Sequence, residues 1–555
     1  MRAADHLVDC LGAQGADRLF CVPGESYLAL LDALRDSDRI ATVVCRHEGG
    51  AGLMAVADAK LTGRAGLVAV SRGPGATNVS IAVHLAQQDA VPLVVLIGQV
   101  ARFERGRGAF QEVDYSQMFG GIAKGVWEVS DPAQLAETVA RAFHVAASGT
   151  PGPVILSLPE DMLGDAVSAP VIAPQPTPVA GVSRQELARV GALLSRASRP
   201  LIIAGGGLAA PEGRQALAAL AKAHGIPVAL TFKHQEIFDN SSPLYAGHLG
   251  FKIPKPHVDL LADADLVLAI GTRLGDVPTQ GYSFPRAPEP DQPLVHVWPD
   301  AEVPGRVFRT EVALVCAPAD FCTALAAEAR GDAPDRAPWQ ARIREFMQGV
   351  ADYSPRAMED GLDFGAVASA LARAAPPQTI VVTDSGNFSG WVHRVWPWTG
   401  EELAVGSVGG AMGLGVPGAV AAAMRHPDRC VLGFVGDGGV LMTGNELATA
   451  MAQGARPRIV ISDNGTYGTI RLHQERDHPG RVAGTDLVNP DFAQWARSFG
   501  AGGFVVGQGD DVDAVVRDFL AHDGAAVLHV RASAQAISAF ATIDEINRRA
   551  TASRA

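Results

Sequence analysis

The chain has few cysteines, and none of them is closely spaced with another. Its 555 residues include six cysteines and no C-x-x-C pair. A disulfide framework or a structural zinc site needs regularly spaced thiols, so both fit poorly. Several of the cysteines lie in apolar surroundings, and we expect buried free thiols in a reducing cytoplasm. The six are Cys10, Cys21, Cys45, Cys316, Cys322 and Cys430.

Positive charge is also scarce. Lysine and arginine total 46 against 59 aspartates and glutamates, and the formal net charge is −13. A nucleic-acid-binding protein needs a basic footprint, so this class is disfavoured. The local cluster Arg102, Arg105 and Arg107 is interrupted by Glu104. It is more typical of a solvated loop or a phosphate contact.

The first residues contain no continuous apolar segment, and we therefore expect no signal peptide. A later uncharged span, Ala404 to Met424, is long enough to raise the question of a membrane helix. It contains several glycines and Pro417, and charged segments flank it. We predict a buried loop and helix inside a large α/β domain, in a cytoplasmic protein that does not bind membranes.

The composition and the order of apolar segments predict the fold class. Hydrophobic residues make up 48% and charged residues 19% of a chain too long for one hydrophobic core. Apolar strand-like runs alternate with helical stretches, which predicts an α/β fold of three doubly wound domains with parallel sheets. A proline-rich stretch at 166–182 and a polar one at 328–361 are predicted linkers. The predicted domains are therefore 1–165, 183–330 and 360–545.

Two strand ends in the last domain carry the most informative pattern. Gly436-Asp437-Gly438 follows one apolar run, and Asp463-Asn464 follows another. A carboxylate and a carboxamide are hard oxygen ligands that suit Mg²⁺. Glycines let a backbone approach a diphosphate closely. The alternative is two ordinary strand-turn units with a chance Gly-Asp-Gly, because short motifs carry false positives.

A second pattern lies in the first domain. Arg46-His47-Glu48 follows the apolar run 40–45 and precedes a helix of small residues. A carboxylate at this junction can share a proton with a heterocyclic nitrogen. Alternatively, Glu48 is only an acid favoured by the helix macrodipole, and taken alone this explanation is preferred.

The middle domain offers a weaker pattern, Gly205-Gly206-Gly207 after a strand. Such a triplet could receive a nucleotide phosphate at a helix N-terminus. It could equally form a tight turn, and we favour the turn because glycine turns alone are weak evidence.

Over nearly its whole length the chain resembles thiamine-diphosphate (ThDP) enzymes of the acetolactate-synthase-like group. The resemblance rests on motifs throughout the chain rather than on one of them. Besides the two strand-end motifs they are Val22-Pro23-Gly24-Glu25, Arg46-His47-Glu48, Gly73-Pro74-Gly75-Ala76-Thr77-Asn78, residues 92–100, Ala109-Phe110-Gln111-Glu112 and Gly409-Gly410-Ala411-Met412-Gly413.

The resemblance implies a pyrimidine-binding domain, a central domain and a diphosphate-binding domain, in this order along the chain. It implies that Glu48 hydrogen-bonds N1′ of the cofactor aminopyrimidine. It implies that Asp437 and Asn464 bind Mg²⁺ through side chains and Thr466 through its backbone carbonyl. The remaining cofactor-binding residues that it implies are Gly24, Asn78, Asn387, Gly410, Met412, Gly436, Gly438 and Gly439. Met412 would hold the cofactor bent, or it is an ordinary core methionine.

The resemblance also implies a site between subunits, so a homodimer is the expected minimum and a tetramer is common. Glu25 and Gln111 are the predicted catalytic residues near the reacting carbonyl. Gln111 resembles a glutamine that favours ligation, and it could instead be a plain loop residue. Glu25 replaces a glycine usual in acetolactate synthases, and it could handle protons or be a solvated turn acid.

Departures from the pattern keep several functions open. His473 stands where a tryptophan is expected, Glu160 replaces a lysine, and residues 480–485 look more like carboligases and lyases such as benzaldehyde lyase. We predict an acetolactate-synthase-like carboligase acting on a 2-oxoacid or related carbonyl donor. The alternatives are a non-ligating 2-oxoacid decarboxylase, an acyloin lyase, or a catalytically silent ThDP-fold binding subunit. A nicotinamide dehydrogenase would need a G-x-G-x-x-G turn and a downstream acid after the first strand, an arrangement not found there.

FAD stays uncertain from the sequence. Acetolactate synthases carry it in the middle domain. Here the segment 271–276 retains Arg273 but not the residues expected to follow it, so bound FAD is slightly disfavoured.

Overall fold

A computed structural model describes residues 1–251, 253–328 and 334–552. They contain three six-stranded sheets whose core strands pair in parallel, flanked by helices. The predicted α/β class with three parallel sheets is confirmed. The strands are β1 Arg18–Cys21, β2 Ala41–Val44, β3 Gly66–Val70, β4 Leu93–Gln99, β5 Gly125–Glu128, β6 Pro153–Pro159, β7 Pro200–Ala204, β8 Val228–Thr231, β9 Tyr245–Leu249, β10 Leu266–Ile270, β11 Leu294–Val297, β12 Val312–Leu314, β13 Ile380–Thr383, β14 Leu403–Gly406, β15 Val431–Gly436, β16 Arg458–Asp463, β17 Gly502–Val506 and β18 Ala526–Arg531.

The helices fill the gaps between strands, as expected for crossover connections in parallel sheets. They are α1 Ala3–Ala13, α2 Leu28–Arg35, α3 Glu48–Thr62, α4 Pro74–Asp89, α5 Tyr115–Phe119, α6 Leu135–Ala147, α7 Arg184–Leu194, α8 Pro211–His224, α9 Lys255–Ala262, α10 Pro318–Ala327, α11 Ala337–Ala351, α12 Phe364–Ala374, α13 Ser389–Val395, α14 Gly415–Arg425, α15 Asp437–Thr443, α16 Leu447–Gln453, α17 Gly468–Asp477, α18 Phe492–Ser498, α19 Val512–Ala521 and α20 Ile543–Ala552.

The first and last sheets share one strand order. They run β2-β1-β3-β4-β6-β5 and β14-β13-β15-β16-β18-β17. Counted along the chain, both read second, first, third, fourth, sixth, fifth. The order therefore reverses between the first and third strands of each sheet. Open α/β sheets bind ligands outside the carboxyl ends of their strands at such a reversal.

The central sheet has a different order. Starting from β9 it runs third, second, first, fourth, fifth, sixth, which is typical of doubly wound nucleotide-binding folds. Neighbouring residues of one strand enter different hydrophobic cores: Leu201 packs on one face of the sheet and Ile202 on the other. Burial on both faces explains why these strands have continuous apolar sequences rather than an alternating pattern.

The chain divides into two compact units. One contains residues 1–177, 355–391 and 405–555, with the first and last sheets. The other contains residues 178–354 and 392–404, with the central sheet. The chain passes between units within both predicted linkers. The domain boundaries 1–165, 183–330 and 360–545 stay predictions.

Two further expectations concern the cysteines and the uncharged span. All six cysteines are free, five of them buried and Cys430 half-buried, which confirms the prediction of unpaired thiols. The uncharged span forms β14, a loop and most of α14. Across the described ranges, no helix combines the length and the apolarity that crossing a bilayer requires.

Within the first unit, an arginine joins the C-terminal part of the chain to the N-terminal part. Arg425, the last residue of α14, donates hydrogen bonds of 2.8 Å to both carboxylate oxygens of Asp58 on α3. It also donates two of 2.9 Å to Asp17. Asp58 is buried. The hydrogen bonds from Arg425 are the main reason that the pKa of Asp17 lies well below its ordinary value.

We expect Arg425→Ala to lower the free energy of unfolding by about 2 kcal/mol, because Asp58 would keep a buried charge with only a weak partner. Arg18, at 3.4 Å, is that weaker partner. The contribution of Asp17 is present above its ordinary pKa and is lost as the pH falls towards its lowered folded-state pKa. Denaturant titration at neutral and acidic pH measures both effects.

Arg373→Ala is the matched control for this prediction. Arg373 pairs with Asp513 at 2.7 Å, but both side chains are more than half exposed. Its loss is expected to change stability by less than about 0.5 kcal/mol. If the two variants unfold at the same denaturant concentration, the Arg425 prediction is wrong.

Candidate active site

Two neighbouring strands of the last sheet deliver the predicted metal ligands to one edge. β15 and β16 pair in parallel, with Gly436 opposite Ser462. Asp437 and Asn464 therefore leave the carboxyl ends of adjacent strands, next to the reversal of strand order between β13 and β15. This is the edge at which an open α/β sheet binds its ligand.

Asp437 is buried at the start of α15. One carboxylate oxygen accepts a 2.9 Å hydrogen bond from the backbone N–H of Gly438. The other accepts a 2.8 Å hydrogen bond from the side-chain amide of Asn489. Burial raises the pKa of Asp437 to about 6, and the nearby charge of Asp463 acts in the same direction. A divalent cation beside this carboxylate would stabilise its ionised form.

Asn464 and Thr466 lie on the turn that follows β16. The side-chain oxygen of Asn464 accepts a 3.3 Å hydrogen bond from the N–H of Thr466. Gly465 between them has a φ of 66°, a left-handed conformation that favours glycine. The Thr466 hydroxyl donates to the carbonyl of Thr485 at 2.9 Å, which anchors the turn.

The donor types fit a hard cation. Among the residues that the structure describes, no group of three or more His, Cys, Asp or Glu side chains could hold a metal ion. A site here would have to combine the Asp437 carboxylate with the Asn464 amide oxygen and a main-chain carbonyl. Such an all-oxygen set, completed by phosphate oxygens and water, is what Mg²⁺ prefers.

Sequence reasoning missed a partly buried polar network behind Asp437. The amide of Asn489 donates 2.8 Å hydrogen bonds to both Asp437 and Asp463. His529, on β18, lies 2.8 Å from the other oxygen of Asp463. Burial opposes ionisation of Asp463, but the hydrogen bonds from His529 and Asn489 outweigh it and lower the pKa of this carboxyl. Asp463 stood in the quoted motif, whereas nothing in the local sequence marked Asn489 or His529.

The glycines of the motif have a packing requirement of their own. A β-carbon at Gly439 would lie 2.8 Å from a carboxylate oxygen of Asp384, and one at Gly438 would collide with the ring of Tyr467. Gly436 precedes α15 in extended backbone. The tight packing excludes a side chain at Gly438 and Gly439. A backbone without side chains suits close approach of a diphosphate.

Asp384, at the end of β13, organises the loop that contains Gly410 and Met412. Both of its carboxylate oxygens accept the N–H of Gly413 at 2.9 Å. Gly410 is exposed with a φ of 71°, and Met412 is half-buried. The loop therefore ends on backbone that is fixed at the carboxyl end of β13, one residue after Met412. Asp384 was not predicted.

Asn387 bridges backbone segments. Its amide donates at 3.1 Å to the carbonyls of Gly468 and Ile537, and its oxygen accepts from Thr469 at 3.0 Å. These contacts hold the start of α17 close to β13. A role for Asn387 in binding diphosphate stays a prediction.

In the N-terminal sheet, the structure brings Glu48 and Asn78 together. Glu48 is the first residue of α3, and its carboxylate accepts a 2.9 Å hydrogen bond from the Asn78 amide on α4. The ring of His47 accepts from the N–H of Gly49 at 3.0 Å and caps the helix. The two predicted cofactor residues are thus neighbours although thirty positions separate them in the sequence.

In a third cluster, an unpredicted arginine joins Glu25 to Phe110, the residue before Gln111. Arg72 donates to Glu25 at 3.2 Å, to Glu160 at 2.7 Å and to the carbonyl of Phe110 at 3.3 Å. Gln111 has a φ of 64° and packs on Gly73. Gly24 packs just as tightly on Ser71, where a β-carbon would lie 2.5 Å from the serine side chain.

The contact with Arg72 explains why residue 160 is a glutamate here rather than the expected lysine. A lysine at position 160 would repel Arg72, whereas glutamate forms an ion pair with it. The side chain of Glu25 is 64% exposed, so one face of its carboxylate is open to solvent or substrate.

The glycine triplet of the central sheet behaves as a turn. The N–H of Gly205 donates to the carbonyl of Ile270, and that of Gly207 to the carbonyl of Gly271, at 3.1 and 2.9 Å. A β-carbon at Gly206 would lie 2.7 Å from the ring of His234. The peptide N–H groups of Gly205 and Gly207 therefore already donate hydrogen bonds within the protein, and the imidazole of His234 covers Gly206. These contacts fit a dinucleotide phosphate poorly.

Family profiles of known proteins match this chain in three segments, one for each of the three sheets. Three sequence profiles match in succession: Thiamine pyrophosphate enzyme, N-terminal TPP binding domain, over residues 1–118; the central domain over 187–325; and the C-terminal TPP binding domain over 384–530. Together they define the chain as a thiamine diphosphate enzyme.

Individual relatives define the group. The acetolactate synthase large subunit of Parasynechococcus marenigrum (strain WH8102) is 32% identical over 95% of this chain and 85% of its own length. Isozyme 1 large subunit of Escherichia coli (strain K12) is 29% identical over 96% of this chain and 94% of its own. The corresponding protein of Corynebacterium glutamicum is 30% identical over 92% and 83%. This chain belongs to the thiamine pyrophosphate enzyme family, in its acetolactate-synthase-like group.

Proposed function

We propose that this enzyme is a Mg²⁺-dependent carboligase that joins the fragment of a decarboxylated 2-oxoacid to a second carbonyl compound. The supporting observation is the pairing of β15 with β16, which sets Asp437 and Asn464 side by side at the ligand-binding edge of the sheet. The relatives' names, acetolactate synthase, agree with ligation of carbonyl compounds. ThDP, when bound, supplies the electron sink for decarboxylation and carbon–carbon bond formation.

The chain's own residues would bind and orient this cofactor. Asp437, Asn464 and the carbonyl of Thr466 would hold Mg²⁺, and the bare backbone at Gly436, Gly438 and Gly439 would admit the diphosphate. The remaining predicted contacts would come from Gly24, Asn387, Gly410 and Met412.

Glu48 would hold a proton at N1′ of the aminopyrimidine. Its hydrogen bond from Asn78 fixes one carboxylate oxygen and leaves the other for the heterocycle. Because the resemblance implies a site shared between subunits, we propose a homodimer or homotetramer.

Glu25 and Gln111 would act on the reacting carbonyl. Glu25 is open on one side and held by Arg72 on the other, so it can move protons at the substrate without losing its position. Gln111 is neutral and would favour attack on the second carbonyl over protonation. An exposed carboxylate also suits a decarboxylase or an acyloin lyase, which is why these remain the second candidates.

Incubation of the purified protein with ThDP, Mg²⁺ and a panel of 2-oxoacids tests the proposal. We expect 2-hydroxyketone products from one or more oxoacids, alone or with an added aldehyde or oxoacid acceptor. Release of aldehyde alone would favour the decarboxylase. Cleavage of supplied acyloins without their synthesis would favour the lyase, and failure to bind ThDP would favour the silent subunit.

Two further properties belong to the proposal. The covered glycine turn at 205–207 and the altered segment after Arg273 support an enzyme without FAD. The absorbance spectrum of the purified protein checks this, since bound flavin is yellow. The six free cysteines support a reducing, cytoplasmic location.

A further inference from the structure

A buried carboxylate from the C-terminal part of the chain lies against the turn before Glu48. Glu446 follows α15 and is fully buried. One of its oxygens accepts the backbone N–H groups of Arg46 and His47 at 3.1 and 3.0 Å. The other accepts the N–H of Arg46 at 3.2 Å and the hydroxyl of Thr449 at 2.6 Å.

These two N–H groups have no partner in regular structure of their own. β2 ends at Val44, the N–H of Cys45 still donates to the carbonyl of Cys21 on β1, and α3 begins at Glu48. The N–H groups of Arg46 and His47 therefore lie between the ladder and the helix. Buried backbone donors need an acceptor, and an ionised carboxylate is a strong one. Glu446 is therefore the group that fixes the peptide planes immediately before Glu48.

The space around Glu446 leaves the turn little freedom. A β-carbon at Gly50 would collide with the carboxylate, so the first turn of α3 lies directly on it. The carboxylate is held from its other side by Thr449 on α16. A shift of Glu446 would thus be transmitted to both ends of the short segment that contains Glu48.

We propose that Glu446 is a positioning residue that sets the orientation of the Glu48 carboxylate towards the cofactor. The inference rests on the proposed function, because it takes Glu48 as the partner of the aminopyrimidine. Glu446 itself would touch neither cofactor nor substrate. It would act through the N–H groups of Arg46 and His47.

Three variants separate positioning from simple stability. Glu446→Ala removes the acceptor. Glu446→Gln keeps one oxygen for both backbone N–H groups, and the Thr449 hydroxyl can turn to accept from the new amide. Asp363→Ala is the matched control: Asp363 is a buried carboxylate of the same unit that also accepts two backbone N–H groups, from Arg356 and Gly365, at 3.0 Å.

The measurement is hydrogen–deuterium exchange at C2 of bound ThDP, with ThDP affinity and the melting temperature recorded for each variant. We expect Glu446→Ala to slow exchange at least about tenfold, since a displacement of about 1 Å at a reacting group can cost on the order of 100-fold. Affinity should change little, and Glu446→Gln should restore most of the exchange rate. Asp363→Ala should lower the melting temperature without slowing exchange.

Glu48→Gln is measured beside them to separate the two hypotheses. If Glu48→Gln slows exchange but Glu446→Ala exchanges at the wild-type rate, the positioning role is wrong and the proposed function stands. Equal slowing in Glu446→Ala and Asp363→Ala would also overturn it, because general destabilisation would then explain the effect. If Glu48→Gln exchanges normally, both hypotheses fall.

Discussion

Asp437→Ala is expected to abolish magnesium-dependent binding of ThDP. Asp437 is the one carboxylate in the predicted ligand set, so its removal leaves Mg²⁺ with two neutral oxygen donors. The diphosphate would then meet the sheet edge without a cation to neutralise it. Isothermal titration calorimetry with and without Mg²⁺ should show ThDP affinity falling by at least about 100-fold, as expected when a metal site loses its charged ligand.

Two comparison variants make this result specific. Asp437→Asn keeps an oxygen for the N–H of Gly438 but removes the charge, so it should lose metal-dependent binding while remaining folded. Asp513→Ala removes an exposed carboxylate of the same unit and should bind ThDP normally. Unchanged affinity in Asp437→Ala would reject the metal assignment.

Glu48→Gln is expected to retain cofactor binding and to slow proton exchange at C2 of ThDP by roughly two to four orders of magnitude, the usual contribution of a general acid–base group. Glutamine fills the same space at the start of α3 and can still accept the hydrogen bond from Asn78. What it lacks is the proton that, in the proposed function, the carboxyl would share with N1′. Calorimetry reports the binding, and quenched-flow exchange followed by NMR reports the rate.

Exchange at the wild-type rate in Glu48→Gln would remove this residue from the mechanism. A large loss of affinity instead would mean that Glu48 serves mainly to bind the cofactor. Asn78→Asp is an informative partner variant. A second carboxylate beside Glu48 would repel it and is expected to slow exchange as well, without changing the metal site.

The same two variants test the shared site. If each site combines Glu48 of one subunit with Asp437 of its partner, a mixed dimer of Glu48→Gln and Asp437→Ala subunits contains one intact site. Random reassembly of equal amounts should recover about a quarter of the wild-type activity, as the symmetry of a dimer requires. No recovery, with mixed dimers demonstrated, would place both residues of a site in one subunit.

The strand ends could be predicted because their signals are local. The apolar runs before Gly436 and Asp463 form buried parallel strands, and polar residues directly after such runs must emerge at the sheet edge. Neighbouring strands then bring Asp437 and Asn464 close together. The first turn of α3 could be predicted equally well from the sequence, since Glu48 follows an apolar run and precedes a helix of small residues.

The supporting residues could not be predicted in the same way. Asn489, His529 and Asp384 reach the edge of the predicted metal ligands from segments whose own sequences contain no recognisable motif. Arg72 lies immediately before the motif 73–78 and was not part of it, and its partners Glu25 and Glu160 are distant in sequence. Glu446 contacts residues four hundred positions away. Contacts of this kind follow from strand order and helix packing, which no local pattern encodes.

By itself the sequence determined the α/β class, the parallel strands and the chemical types at the candidate site, because periodicity, apolar runs and hard oxygen ligands act over a few residues. Only the tertiary structure decided which groups share a hydrogen bond: Glu48 with Asn78, Glu25 with Arg72, and Asp437 with Asn489. The physical reason is the distance along the chain over which each effect acts. Backbone preference and burial are properties of short segments, whereas the orientation and charge of a catalytic group depend on neighbours that only folding brings within 3 Å or so of it.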